Sequence, residues 1–197
     1  VHIFPHWNWP ERIGEVTPVH IATTGDEVEL FLNGTSLGRR TKGAYDYRLR
    51  WDDVIYEPGT LRAVAYKSGE PWAEQIIATT GAASSLQASA DRTVIAADGD
   101  DLSFVTVRVT DDHGVPVPRA HHPIAFTLSG PGEIVATDNG DPRSFIPFPS
   151  HERPAFNGLA LVIVRGLAGK SGELTLTATS PDLKPSTLVL AAMKKAE

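Results

Sequence analysis

Residues 28–40 read VELFLNGTSLGRR. Val28, Leu30 and Leu32 fall on one side of an extended chain, and Glu29 and Phe31 on the other, the period of two that marks a half-buried strand. Asn33-Gly34 follows at once, and both residues tolerate the positive φ of a tight two-residue hairpin turn. A strand over 36–41 is therefore predicted to pair back on the first. Working outward, 19–24 reads as another strand, and 45–51 sets Tyr45, Tyr47, Leu49 and Trp51 against Asp46, Arg48 and Arg50. Pro58-Gly59 turns the chain into 60–67, and Ser68-Gly69 turns it again into 71–79. The second half repeats the pattern over 102–110, 124–128, 132–136, 160–165, 173–180 and 188–192. Within 102–110 a phase slip after Phe104 brings Val105, Val107 and Val109 into line. Residues 137–157 hold four prolines and little alternation, and read as a long ordered loop. No window shows a capped helical period. Turn signals at this density predict an all-β chain, two consecutive immunoglobulin-like β-sandwich domains of about seven strands each.

The aromatic residues locate the join. All four Trp (7, 9, 51, 72) and all four Tyr (45, 47, 56, 66) lie in the first 72 of 197 residues. One shared core would hardly sort its aromatics by sequence half. Charge divides evenly between the halves and marks no boundary. The small, polar run TGAASSLQ at 80–87 is the natural linker, giving domains at 1–83 and 84–197.

Composition removes several functions. A net charge of −6 with scattered Lys and Arg offers nothing to hold a phosphate backbone, so no nucleic-acid partner is expected. The longest apolar runs fall far short of the roughly 18 residues of a membrane helix. No basic region followed by an apolar core opens the sequence, and it starts at Val1; a signal, if one is used, would lie upstream. The absence of cysteine excludes disulfides, thiol nucleophiles and Cys-based metal sites. No cofactor is called for: neither phosphate-loop pattern, G-x-x-x-x-G-K-[ST] or G-x-G-x-x-G, occurs, and no serine sits in a G-x-S-x-G elbow.

The remaining candidates are few. Asp98, Asp100 and Asp101 offer oxygen ligands to Ca²⁺, but without the alternating spacing of a calcium loop they read as turn residues, as do Asp111 and Asp112. His121 and His122 are adjacent, so on a strand they point to opposite faces and cannot share one ion. No pattern forces two carboxylates together, so no catalytic residue is assigned. The opening HIFPHWNWPERIG differs in character. Trp7 and Trp9 flank Asn8 between Pro5 and Pro10; indole faces stack on sugar rings, and Asn and His supply hydrogen bonds to hydroxyls. The alternative is that both indoles pack against the first sandwich or a neighbour.

The stretch HIFPHWNWPERIGEVTPVHIATTGDEVELFLNGTSLGRR resembles the segment that follows the catalytic barrel in bacterial β-galactosidase-like enzymes of glycoside hydrolase family 2, with the shared pattern at Pro5 to Trp9 and Val19 to Gly38. ADRTVIAADGDDLSFVTVRVTDDHGVPVP (90–118), GPGEIVATDNGDP (130–142) and GLALVIVRG (158–166) resemble that family's C-terminal immunoglobulin-like domain, itself similar to bacterial invasin-type domains. The resemblance implies a non-catalytic accessory region whose partner is the catalytic barrel of the same parent chain. It implies retaining hydrolysis by a Glu pair about 5–5.5 Å apart on a barrel of roughly 250 residues, and neither has a counterpart here. It also implies a periplasmic or extracellular bacterial setting, and a place for Trp7, Asn8 and Trp9 beside the sugar pocket of the intact enzyme. Without that neighbour, residues 1–10 are expected to be mobile or to make non-native contacts. Two other readings stand beside it: an autonomous carbohydrate-binding module using Trp51, Trp72, Tyr45, Tyr47 or Tyr56, and an adhesin-like spacer. Strand parity puts Tyr45, Tyr47 and Trp51 on one face, which fits core burial at least as well as sugar binding.

Overall fold

The computed structural model describes residues 1–194. The chain divides into two compact units, Val1–Thr79 and Thr80–Glu197, and each is an all-β sandwich.

In the first unit, β1 (His2–Phe4), β2 (Val19–Ala22) and β5 (Leu49–Trp51) form a three-stranded sheet in the order β1-β2-β5. The strands β3 (Glu27–Leu32), β4 (Thr35–Thr41), β6 (Thr60–Lys67) and β7 (Glu70–Ala78) form a second, ordered β4-β3-β6-β7. The predicted hairpins are present. Asn33 and Gly34 adopt φ of 51° and 83° between β3 and β4, and Ser68 and Gly69 adopt 53° and 87° between β6 and β7. These left-handed pairs match the strand twist and set the register. Val28, Leu30 and Leu32 point inward, as do Leu61, Ala63 and Ala65 of β6. They meet Val19 and Ile21 of β2 and Leu49 and Trp51 of β5 in one core.

Tyr45 and Tyr47 depart from the predicted parity and are 98% and 77% exposed. The strand begins only at Leu49. Ahead of it Asp46 closes a turn: its carboxylate accepts the Gly43 N–H at 2.9 Å, and its own N–H donates to the Gly43 carbonyl at 3.1 Å. A side chain that caps its own backbone competes with ladder bonding, so the alternation there reflects a turn and not a sheet.

The second unit runs β8 (Ser85–Ala90), β9 (Val94–Ala96), β10 (Leu102–Thr110), β11 (Pro123–Ser129), β12 (Gly132–Asp138), β13 (Glu152–Pro154), β14 (Leu159–Gly166), β15 (Gly172–Ser180) and β16 (Leu183–Met193). Strand order is β12-β14-β10-β8-β16-β15-β11-β13, with β9 on β16. The β8–β16 link is a single parallel bridge, Lys184 to Ser85, so the path folds into two layers. Val105, Val107 and Val109 of β10 and Val162 and Val164 of β14 pack with Leu174 and Leu176 of β15, Phe126 of β11 and Leu190 of β16. Val, Ile and Leu on both inner faces fill this core without Trp or Tyr.

Three expectations change in this unit. Strand β10 has no phase slip: Ser103 takes the inward position, and its hydroxyl donates to the Arg92 carbonyl at 2.7 Å. A satisfied hydroxyl substitutes for an apolar residue there, which the pattern alone does not reveal. The tail of TGAASSLQ is strand and not linker, because Ser85 and Leu86 pair with Thr110 and Val109 of β10. The segment 137–157 contains the end of β12 and all of β13, and Arg153 organises it. This guanidinium is 1% exposed. Its Nε donates to Thr137 Oγ1 at 3.2 Å, its Nη1 to Ser144 Oγ at 3.1 Å and the Ile146 carbonyl at 3.0 Å, and its Nη2 to the carbonyls of Thr137 at 2.7 Å and Pro147 at 2.9 Å. A buried cation needs such partners, and here they are carbonyls and hydroxyls of the segment itself.

Candidate functional site

The tryptophan-rich opening is integral to the first sandwich. Strand β1 pairs with β2 through Ile3 and Ile21, and beyond the Phe4–Pro5 bond the chain drives Trp7 into the core, where it is fully buried. Its indole N–H donates to the Glu57 carbonyl at 2.8 Å, and its ring lies 4.7 Å from that of Tyr56 at 55°. A buried indole needs a partner for its single donor, and the turn ahead of β6 provides one.

A polar network surrounds the ring. The Trp9 N–H donates to the Tyr56 hydroxyl at 3.0 Å, and that hydroxyl lies 3.4 Å from Thr79 Oγ1. Thr79 Oγ1 donates to the Trp7 carbonyl at 2.7 Å and accepts the Gly59 N–H at 3.1 Å. Asn8 is buried, with Nδ2 donating to the Ala78 carbonyl at 3.3 Å. Trp9 is half-buried; its ring stacks on His6 at 4.3 Å and 20°, and its indole N–H donates to the His6 carbonyl at 2.8 Å. Trp7, Asn8 and Trp9 are therefore held together, but differently: the Trp7 ring is covered, while Trp9 stays partly accessible. The expectation that residues 1–10 lack native packing is corrected. Apolar area and a ring of backbone partners within the first unit hold Trp7.

The other aromatic candidates separate by burial. Trp51 and Tyr56 are core residues, closed to a ligand. Trp72 is 53% exposed, with Lys67 Nζ 4.6 Å above its ring and its N–H on Thr24 Oγ1 at 3.1 Å. Tyr45 and Tyr47 lie open on the β4–β5 connection.

The acidic candidates serve backbone. Asp98 Oδ1 accepts the N–H groups of Asp100 and Asp101, both at 2.9 Å. Asp101 accepts the Ala96 N–H at 2.8 Å and pairs with Arg92 at 3.0 Å. Among the described residues the one group whose potential ligand atoms converge is Asp111, Asp112 and His113, within 4.8 Å of one another. Its buried member, Asp111, already takes N–H groups from Gly81, His113 and Val115 at 2.9–3.0 Å. His121 is exposed and His122 half-buried.

Several carboxyl groups are held below the ordinary range. A hydrogen bond from Arg62 does this to Glu74, the Phe104 N–H to Asp91, and the Arg143 side chain to Asp141. At Asp111 burial pushes the other way, but the three N–H groups outweigh it. Such carboxylates are poor proton donors at neutral pH, the reverse of what a glycosidase acid requires. Sequence reasoning missed Arg153 and the Thr79 hydroxyl, because neither carries a local motif: Thr79 bonds residues 20 to 72 positions away, and Arg153 gathers an irregular loop 6 to 16 positions ahead of it.

Comparison with known proteins supplies the context. Residues 86–189 match the family described as glycoside hydrolase family 2 C-terminal domain 5, and residues 14–73 match a domain of unknown function, DUF4982. The chain is similar to "Beta-galactosidase BoGH2A" of Bacteroides ovatus, 40% identical over 98% of this chain and 22% of that protein. It is also similar to "Beta-glucuronidase" of Formosa agariphila, 26% identical over 98% of this chain and 19% of that one. The chain thus spans about a fifth of the length of these curated relatives. Among solved structures, a β-glycosidase from Bacteroides vulgatus superposes with a TM-score of 0.92 at 30% identity, over 97% of this chain and 24% of that one. The match to the C-terminal domain covers more than half of these residues, and the chain belongs to glycoside hydrolase family 2 as part of its C-terminal region.

Proposed function

We propose that the two sandwiches are a non-catalytic accessory region of a glycosidase, supporting a catalytic barrel in the same polypeptide and shaping its substrate entrance. One observation carries this reading: the residues match a C-terminal domain, and the similar glycosidases are about five times longer than the matched stretch. The carboxylates support it, since Glu74, Asp91, Asp111 and Asp141 are each stabilised in the charged form. So does the opening segment. Trp7 anchors it to the first sandwich, while the stacked His6–Trp9 pair stays partly accessible, where a preceding catalytic unit and its bound sugar could meet it.

The test compares the polypeptide carrying both barrel and accessory region with a version truncated before residue 1. Truncation is expected to lower the barrel's melting temperature or its kcat/KM on aryl β-galactosides. In the untruncated enzyme, Trp9→Ala is expected to change KM more than stability. Unchanged stability and kinetics after truncation would overturn the proposal.

A further inference from the structure

The chain carries −6 overall, yet Arg39, Arg40, Lys42, Arg48 and Arg50 fall within twelve residues. They lie on β4, on β5 and on the connection that crosses between the two sheets of the first unit. Some of this charge is neutralised. Arg39 pairs with Glu27 and lies over the Tyr66 ring. Lys42 Nζ donates to the Thr23 carbonyl at 3.1 Å. Arg50 pairs with Asp52 at 2.9 Å. Arg40 and Arg48 have no carboxylate partner among the described residues; their guanidinium groups sit over Trp51 at 5.1 Å and Tyr47 at 5.2 Å.

Arg40, Arg48 and Arg50 line a shallow polar depression of about 410 Å³, with Asp46 and Asp52 on its wall. Asp52 is engaged by Arg50, and Asp46 caps the Gly43 N–H. The open donors are therefore the forks of Arg40 and Arg48. The field of two of these arginines is felt next door: His20, opposite Arg50 in the β2–β5 register, is held below the ordinary imidazole range by burial first and then by Arg48 and Arg50, with Asp52 opposing. Tyr45 and Tyr47, the most exposed aromatic rings of this unit, flank Asp46 on the same loop, beside the lining of the depression and not within it.

We infer that this depression is a binding site for a carboxylate-bearing saccharide, its carboxylate held by Arg40 and Arg48 and its ring set against Tyr45 or Tyr47. A guanidinium fork matches a carboxylate in plane and spacing. A tyrosine ring offers an apolar face to sugar C–H groups and a hydroxyl to the hydroxyls beside them. The combination selects an acidic sugar over a neutral one, because a neutral ring leaves both forks unmatched. It also selects a sugar over a simple anion, which gains nothing from the tyrosines. The site goes beyond the accessory role and needs no barrel, so it is tested on the 197-residue chain by itself.

The experiment is an NMR titration of the chain, following backbone amides and arginine Nε–H resonances. The probes are methyl β-D-glucuronide, methyl β-D-glucoside and sodium acetate. The glucuronide is expected to shift residues 40–52 and the Arg48 Nε–H in the millimolar range, with weaker binding as salt rises. The glucoside and acetate are each expected to bind at least tenfold more weakly. Arg48→Ala is expected to weaken glucuronide binding about tenfold or more, the loss typical of a charge-assisted hydrogen bond, and Tyr47→Ala severalfold. Arg143→Ala in the second unit leaves binding unchanged. Equal shifts by glucuronide and acetate would show a site that reads charge alone, and equal shifts by the two glycosides would show no role for the arginines. Silence from all three probes would mean that the basic face serves another partner, such as an acidic protein surface. Each of these three results overturns the inference.

Discussion

Truncating Trp7 to alanine tests how the opening segment is held. The indole is fully buried among Tyr56 and the core residues of the first unit. A tryptophan buries about 200 Å² or more, which at about 25 cal/mol per Å² is roughly 5 kcal/mol as an upper bound. Measured losses for large-to-alanine changes in cores are about 3–5 kcal/mol. The substitution also leaves the Glu57 carbonyl without its donor, a deficit of about 1 kcal/mol that a loss in this range already contains. Trp7→Ala is thus expected to cost about 4 kcal/mol, and Trp7→Phe, which keeps most of the apolar volume, about 1–2 kcal/mol. The assay is urea unfolding followed by tryptophan fluorescence. Every tryptophan lies in the first unit, so the signal reports that unit alone. With an m-value of about 2 kcal/mol/M for a small domain, the midpoint should fall by about 2 M. A loss below about 1 kcal/mol would refute the claim that Trp7 is a core residue.

The remaining predictions address other parts of the chain. Trp51→Ala is expected to cost about 3–5 kcal/mol, whereas Trp72→Ala, at an exposed ring, should cost well under about 1 kcal/mol; the same fluorescence assay separates them. Arg153→Met removes the guanidinium donors to the Thr137, Ile146 and Pro147 carbonyls and should destabilise the second unit by about 3 kcal/mol or more, with new protease cleavage within 139–151. Gly130 has φ of +98°, and an added Cβ would stand 2.1 Å from the Glu173 carbonyl oxygen, so Gly130→Ala should cost more than about 2 kcal/mol by far-UV circular dichroism melting. The fold depresses the proton affinity of Asp111. Its contribution is therefore present above the unfolded carboxylate pKa of about 3.9 and is lost as pH falls through the lower folded value. Asp111→Asn should flatten the acid limb of the stability profile below about pH 4, and an unchanged limb would refute that assignment.

Much of this architecture was legible in residue order. Strand β3 and its Asn33-Gly34 turn could be read because a half-buried strand writes its inward face into every second residue. The segregation of Trp and Tyr reflects two separate cores. What escaped depended on side chains that answer distant backbone. Ser103 occupies a core position because its hydroxyl finds the Arg92 carbonyl, and β13 is a strand because Arg153 folds the proline-rich loop around itself. Tyr45 and Tyr47 alternated convincingly, yet Asp46 turns that stretch out of the sheet. The tryptophan motif was visible at once. Its division into a buried Trp7 and a partly accessible Trp9 follows from Tyr56, Glu57 and Thr79, all of them more than 45 residues away.

The central claim is that these sandwiches assist a glycosidase without performing its chemistry. It is tested most directly by incubating the purified, folded 197-residue chain with 4-nitrophenyl β-D-galactoside and 4-nitrophenyl β-D-glucuronide and following nitrophenol release. The account predicts release no faster than in buffer. Turnover that exceeds buffer and disappears on replacing a single Asp or Glu would contradict it.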